Sequence, residues 1–583
     1  MAARGKEGAR CGSRIDPLSS RRFRFPDIPD RFIVGGFAII PIAYFALMVV
    51  GMYRWYTPVP FWDMWDSYLM GYIDYLDGKW RSLFAQTNEH RIWFSNILFF
   101  LDLALFNGRS LLLVPFNALL VGGIWLVLAL AARRLLKDKG DLWLLVSLAS
   151  GPFCFSWLQE ANLSWGFQSQ FFFAYFFPLA AFCSLALSYT SQRRVLWFST
   201  ALGLGIASVG TMANGLAALP LLALMTLLMP SPSWKRGVII VLAAAITMAV
   251  WFSGYVFIER ETADISQFFS FVLTFFGMPA VAILEYRAES YIAAAVSYIR
   301  VGFIAGALFI LAAVAYAVRW WFRRKLAEPM ELALIVFLIY IGASCAVTAV
   351  GRATLEPNAA LVSRYATPSL IGWAVLMLLS IYAFKNQRCV RPAVIIGGII
   401  LAIGMMPAQR AVFSDLGPET VHQKLVGALA LKMRVQDMES IGRMYPTNTA
   451  YFVEHIRIVA DMAEQKHLSI MGDAKLGRAT SRLGTPVSEG FYPCLGNVDI
   501  RQEIPNEPNY LRVVGWAFDG RTNSVPSFAY LVVGDRIEGV VATGFVRRDV
   551  SAAVGRRALK SGFTGFARPA ISSGAIVEIV CSS

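Results

Sequence analysis

The sequence predicts a polytopic α-helical membrane protein of about eleven transmembrane helices, followed by an extracytoplasmic α+β region that ends in a small β-sandwich. Three observations lead there. Of 583 residues, 57% are hydrophobic and 16% charged, whereas a soluble domain carries about 25% charged residues; this excludes an ordinary cytosolic enzyme. The apolar residues fall almost entirely before residue 407, in runs close to the roughly 20 residues that cross a bilayer. Lys and Arg, the source of the net charge of +15, cluster at alternate ends of those runs. The charge therefore reads as a topology signal and not as a nucleic-acid footprint.

Residues 1–31 are polar and basic without an apolar core, which reads as a disordered cytoplasmic tail and not as a cleavable signal peptide. The domain 32–407 carries spans near 32–52, 110–132, 142–158, 168–190, 195–212, 215–230, 238–258, 301–319, 330–350, 368–385 and 392–407. With these spans, every basic cluster falls on one side, the cytoplasm: Arg21, Arg22, Arg24 and Arg31; Arg133, Arg134, Lys137 and Lys139; Arg193 and Arg194; Lys235 and Arg236; Arg319, Arg323, Arg324 and Lys325; Lys385, Arg388 and Arg391. Two further apolar stretches, 92–107 and 266–284, are excluded as spans. Either one would invert all later loops, and their length is marginal, so they read as interfacial or re-entrant helices on the outer face.

An odd number of spans from an inside N-terminus puts everything after 407 outside. Residues 408–490 show helical spacing, as in 421–433 and 451–465. Residues 491–583 turn strand-like, with short alternating β-branched runs at 511–517, 528–533, 539–543 and 575–580 between turn residues. Cys11 and Cys389 fall inside, and Cys154, Cys183 and Cys345 within helices. Cys494 and Cys581 are alone outside, at the first and last strands, where an oxidising compartment permits a disulfide between them.

The span interiors are nearly free of charge, which argues against an ion path through the bilayer. Polar residues collect instead at the outer ends. The first outer loop reads Pro60-Phe-Trp-Asp63-Met-Trp-Asp66, continuing to Asn88-Glu89-His90-Arg91. On a helical turn Asp63 and Asp66 share a face, where they can hold a divalent cation or let one carboxylate act as a base; a wet interfacial loop with aromatic anchors has the same composition. His90, beside Glu89, is a candidate orienting group. The second outer loop carries Glu160, Asn162, Ser164 and Gln168, with Glu160 facing the same side as Asp63; Asn162-Leu-Ser164 also fits a glycosylation sequon. A third turn holds Ser208, Gly210, Asn214 and Gly215. Last come Gly351-Arg352-Ala353 and Ser363-Arg364-Tyr365, two arginines suited either to a phosphate at headgroup depth or to anchoring on anionic lipid.

An acidic motif soon after the first span, then Leu105-Phe106-Asn107-Gly108 and a span ending Arg133-Arg134-Leu135, resembles the GT-C superfamily of membrane glycosyltransferases, which includes protein O-mannosyltransferases and the lipid A aminoarabinose transferase. Trp165-Gly-Phe-Gln168, Met212-Ala-Asn214-Gly215-Leu216 and Ser363-Arg364-Tyr365 resemble a bacterial, largely uncharacterised branch of it. The resemblance implies a bacterial inner-membrane enzyme with a cytoplasmic N-terminus and a periplasmic C-terminus. It would transfer a sugar from a polyprenyl-phosphate carrier to a glycan or lipid acceptor, among membrane lipids and without nucleic acid. Carried over by position, Asp63, or alternatively Asp66, is the base and Glu160 a second acidic residue. Arg364 and Arg352 hold the carrier phosphate, with Glu89, His90, Arg91, Asn162, Gln168, Asn214 and Tyr365 in support. The Asp-x-x-Asp spacing departs from the family's adjacent acidic pair, which leaves open both the metal, with Asp63 and Asp66 as its ligands, and the choice of base. Gly515-Trp516-Ala-Phe518-Asp519 and Arg547-Arg548-Asp549 look like modules attached to envelope glycan enzymes, Trp516 and Phe518 either stacking on a sugar or packing a core. Two other classes of function stand beside this one. A lipid-linked-glycan transporter or flippase requires a polar seam or internal repeats through the spans; a non-catalytic scaffold makes the acidic loop dispensable.

Overall fold

The computed structural model describes residues 30–258, 264–285, 291–352, 354, 359–387, 390–445, 450–571 and 575–582. The expected tail up to residue 29, Cys11, Ala353, Arg388 and Cys389 lie outside the described residues, as do the side chains of Arg31 and Arg391. The helices of eight residues or more are α1 (Asp30–Arg54), α2 (Trp93–Phe106), α3 (Leu113–Leu136), α4 (Leu142–Cys154), α5 (Ser169–Thr190), α6 (Arg194–Val209), α7 (Ala218–Leu228), α8 (Trp234–Phe252), α9 (Ile265–Glu285), α10 (Tyr291–Arg323), α11 (Pro329–Arg352), α12 (Ala366–Ala383) and α13 (Val390–Met405), then α14 (Leu416–Met433), α15 (Ala450–Gln465) and α16 (Ala474–Ser481) beyond the apolar region.

Among the described residues ten helical stretches are long and apolar enough to cross a membrane, and they differ from the eleven expected at two places. The stretches 195–212 and 215–230 form α6 and α7, only 16 and 11 residues long, because the turn between them consumes the apolar residues at their facing ends. That turn is tight: a Cβ on Gly215 would lie 1.8 Å from the Ser208 carbonyl oxygen. Conversely, 266–284 forms the 21-residue α9, so the length argument for excluding it fails. The stretch 92–107 forms α2, 14 residues long, too short to cross. α9 lies against α10 with glycines at the contact. A Cβ on Gly277 would stand 2.0 Å from the Gly302 carbonyl oxygen, and one on Gly306 1.9 Å from that of Leu273. Without a hydrophobic drive between helices in lipid, such close backbone approach is what holds them together.

The described basic clusters gather at one end of the bundle. Arg134 pairs with Glu328 at 3.0 Å, Arg319 donates to the Ala383 carbonyl, and Arg236 donates to Ser188 Oγ. α5 and α11 cross antiparallel where Tyr340 donates to the Ala174 carbonyl at 2.7 Å, which sends the polar C-terminal turns of α11 to the other end.

The expected sandwich is instead a single seven-stranded antiparallel sheet in the order β1-β7-β4-β5-β6-β3-β2. Its strands are β1 (Phe491–Pro493), β2 (Leu495–Ile504), β3 (Glu507–Phe518), β4 (Phe528–Val533), β5 (Arg536–Phe545), β6 (Gly562–Ala567) and β7 (Glu578–Ser582). β1 and β2 are one run of chain broken at Cys494, and this run supplies both edges: β1 pairs with β7, and β2 with β3. The sheet therefore closes on itself, and one surface wraps a core of Val513, Leu531, Val541 and Phe563. Tyr530, Val532 and Val540, on the alternate face, join the core that is continuous with the helices. Cys494 and Cys581 are disulfide-bonded across the closure. Arg512 grips the buried Asp437 with two hydrogen bonds and fixes the sheet to the helical region. Phe518 is buried with Val550 and Ala558, and Trp516 packs on them, so this pair belongs to a core.

Gly306→Leu is expected to destabilise the α9–α10 contact by at least about 2 kcal/mol and lower the thermal unfolding midpoint in detergent. Gly342→Leu, where a Cβ meets nothing within 4 Å, is expected to leave the midpoint in place.

Candidate functional site

Past α1, whose Arg54 donates to the Val412 carbonyl at 2.9 Å, the chain reaches a 3-10 turn at Trp62–Met64 and a π-helical turn at Trp65–Met70. Trp62 has a φ of +50°, a costly left-handed conformation for a tryptophan. It is held there by its N–H, which donates to the Met444 carbonyl at 2.8 Å. This turn carries Asp63 into a cavity of about 420 Å³. Asp66 follows on the π-helical turn, near enough for its charge to bear on Asp63. Its carboxylate meets the outer helical region, where Oδ1 meets His455 Nε2 at 2.7 Å and Oδ2 accepts from Tyr445 Oη at 3.3 Å.

Burial pushes the Asp63 carboxyl up to about 6, and the Asp66 charge adds to the shift; a hydrogen bond from Asn88 and the Arg364 charge oppose it, while Glu89 raises it slightly. The cavity also receives Arg364 and Tyr365 from the 3-10 turn before α12. Among the described residues Arg364 has no ion-pair partner; its guanidinium stands 5.4 Å from the centre of the Tyr365 ring. Its backbone is fixed from behind. Asn162 Nδ2 donates to the Arg364 carbonyl at 2.8 Å and to Thr367 Oγ1 at 2.7 Å, and Thr367 Oγ1 donates to Gln159 Oε1 at 2.6 Å. That work leaves the fully buried Asn162 unsuited to glycosylation.

Glu89, His90, Gln168, Asn214 and Arg352 line the same cavity. Arg352 pairs with Glu89 at 3.0 Å, and His90 Nδ1 accepts from the Ala213 N–H at 3.3 Å. Gln168 and Gln170 are 2% and 5% exposed. Their side-chain carbonyl oxygens, the Asn214 Oδ1 and the Trp165 indole N–H all lack a partner among the described residues.

Besides Asp66 and Asn162, two more of the expected site residues lie outside this cavity. Arg91 donates to the Phe84 and Ser253 carbonyls and pins the loop from outside the cavity. Glu160 does not share a cavity with Asp63 and Arg364. On the short helix Glu160–Ser164 it lies two residues from Asn162, on the other side of the helix axis, and it opens into a neighbouring cavity of about 200 Å³. Gln170 and Asn88 stand beside residues that the sequence singled out, whereas His455 and Tyr445 gave no spacing signal, lying 389 and 379 residues from Asp66. Among the described residues no three His, Cys, Asp or Glu side chains converge on a metal position. Asp63 and Asp66 therefore have no third such side chain converging with them, among the described residues, to complete a divalent-cation site. No family model, curated protein or solved structure matches this chain.

Because the folded-state value of Asp63 lies above its ordinary 3.8, folding favours the protonated form. Stability attributable to this group is present at low pH and lost as pH rises from about 4 through about 6. Asp63→Asn is therefore expected to be more stable than the parent by about 1–2 kcal/mol at pH 8 and nearly equal to it at pH 4, read as the difference in thermal midpoint at the two pH values.

Proposed function

We propose that the protein is a membrane glycosyltransferase that moves a sugar from a polyprenyl-phosphate carrier to a glycan or lipid acceptor of a bacterial envelope, on the extracytoplasmic side. One observation carries this reading: a carboxylate that titrates near neutrality and an arginine without an ion-pair partner among the described residues line one cavity. The volume of that cavity is within the usual range for small-molecule sites. Its lining includes Asn88, Gln168, Gln170 and Asn214, residue types that suit the hydroxyls of a sugar. Val347 and Val350 line the cavity and are also exposed on the side of α11, so an apolar carrier tail lying along that helix reaches it from the membrane.

In this mechanism Asp63 takes the proton of an acceptor hydroxyl as that oxygen bonds to the anomeric carbon. The bond from the anomeric carbon to the carrier phosphate breaks, and its electron pair leaves with the phosphate, whose charge Arg364 stabilises. A single displacement inverts the anomeric centre. Arg352, neutralised by Glu89, shapes the wall and leaves Arg364 as the phosphate anchor. Asp66 is one step removed: it is held by His455 and bears on Asp63 through its charge.

With the protein in nanodiscs and a polyprenyl-phosphate sugar as donor, Asp63→Asn is expected to lower kcat by at least about 100-fold. Arg364→Ala is expected to abolish donor binding, with partial recovery in Arg364→Lys. Unchanged transfer in both Asp63→Asn and Arg364→Ala overturns the reading. The parent enzyme is also expected to lose kcat/KM as pH falls through about 6, where Asp63 takes up its proton.

A further inference from the structure

The neighbouring cavity of about 200 Å³ has a chemistry of its own. Lys424 of α14 faces it, its ammonium 3.9 Å from the centre of the Phe61 ring and without an ion-pair partner among the described residues. Glu160 faces the same space, hydrogen-bonded to Ser363 but not ion-paired with Lys424. Burial pushes the Glu160 carboxyl up to about 7 and the Lys424 ammonium down to about 8, so the charged form of each is held at a cost that a neighbouring opposite charge would remove. A ligand carrying both complementary charges removes that cost: an anion toward Lys424, a cation toward Glu160.

Position narrows the ligand further. Trp55 and Thr57 follow the end of α1, Ser110 precedes α3, Glu160 lies between α4 and α5, and Gly417, Thr420 and Lys424 belong to α14. The cavity is thus where apolar helices end and the outer helical region begins, the depth of lipid headgroups. It holds the volume of about six waters, room for a two-carbon phospho-amine and not for a hexose with its carrier phosphate.

We propose that this cavity binds a phosphate–ammonium zwitterion of the phosphoethanolamine class, with the phosphate on Lys424 and the ammonium on Glu160. The site is independent of the transfer reaction, since binding is read without turnover. The full-length protein in detergent is titrated with O-phosphoethanolamine, dihexanoyl phosphatidylethanolamine or dihexanoyl phosphatidylglycerol, and binding is followed by native mass spectrometry and thermal shift. Saturable binding of both ethanolamine compounds is expected, with the glycerol headgroup at least tenfold weaker. Tighter binding of the lipid than of O-phosphoethanolamine identifies a membrane source, and equal binding a soluble one. Lys424→Met is expected to weaken both ethanolamine ligands at least tenfold, and Lys424→Arg to retain them, which separates loss of the charge from loss of the fold. Glu160→Gln is expected to erase the preference for ethanolamine over glycerol. No saturable binding to the parent protein, equal affinity for the two headgroups, or unchanged binding in Lys424→Met overturns the proposal.

Discussion

A charge placed at the centre of a bilayer costs about 2.5–3.5 kcal/mol even on the most lenient scales, and the ten helices long and apolar enough to cross one are arranged as that penalty would dictate. It sends the described arginine and lysine clusters to one end of the bundle, where Arg134 and Arg319 find a carboxylate and a carbonyl. It leaves the other end to collect every polar group that the spans cannot carry. The cavity with Asp63 and Arg364 is at that end because the helix interiors admit nothing like it.

Holding such a site in shape falls largely to the region beyond the spans. The strained Trp62 is fixed by Met444, and Asp66 by His455 and Tyr445. Lys466 pairs with Asp77, and Arg109 with Asp473, both at 2.8 Å. The outer helices thus grip the acidic loop along its length, while the sheet grips the helices through Arg512 and Asp437, a pair only 12% and 1% exposed. Removing one member of a buried pair strands the other charge, so the Arg512–Asp437 link is a structural commitment and not a decoration of the surface.

How far the sequence reveals all this depends on the range of the interaction. Apolar runs and basic loops are local signals, and they placed most of the described helices and the gathering of the described basic clusters at one end. Strand β4 could be read to the residue, because alternation between two turns is equally local. The errors arose where length is decided by neighbours: a tight Gly215 turn shortened α6 and α7, and glycine packing against α10 supports α9 at its full length. Asp63 and Arg364 were legible as rare polar residues at span ends. The separation of Glu160 from them was not, because it depends on which side of a five-residue helix faces which wall. His455 was invisible, since only folding brings it to Asp66.

The closure of the sheet has a consequence for the order in which the chain acquires structure. β4 and β5 are neighbours in sequence and can pair as soon as they exist, but β1 finds its partner only in β7, across the 87 residues spanned by the disulfide. Loop-closure entropy for so distant a pairing is overcome late, after the local hairpins have formed. Until then the face of Tyr530 and Val532 that packs toward the helices has no finished edge behind it. The aspartate turn, held through those same helices, thus reaches its final geometry only when the most distant strand pairing is made.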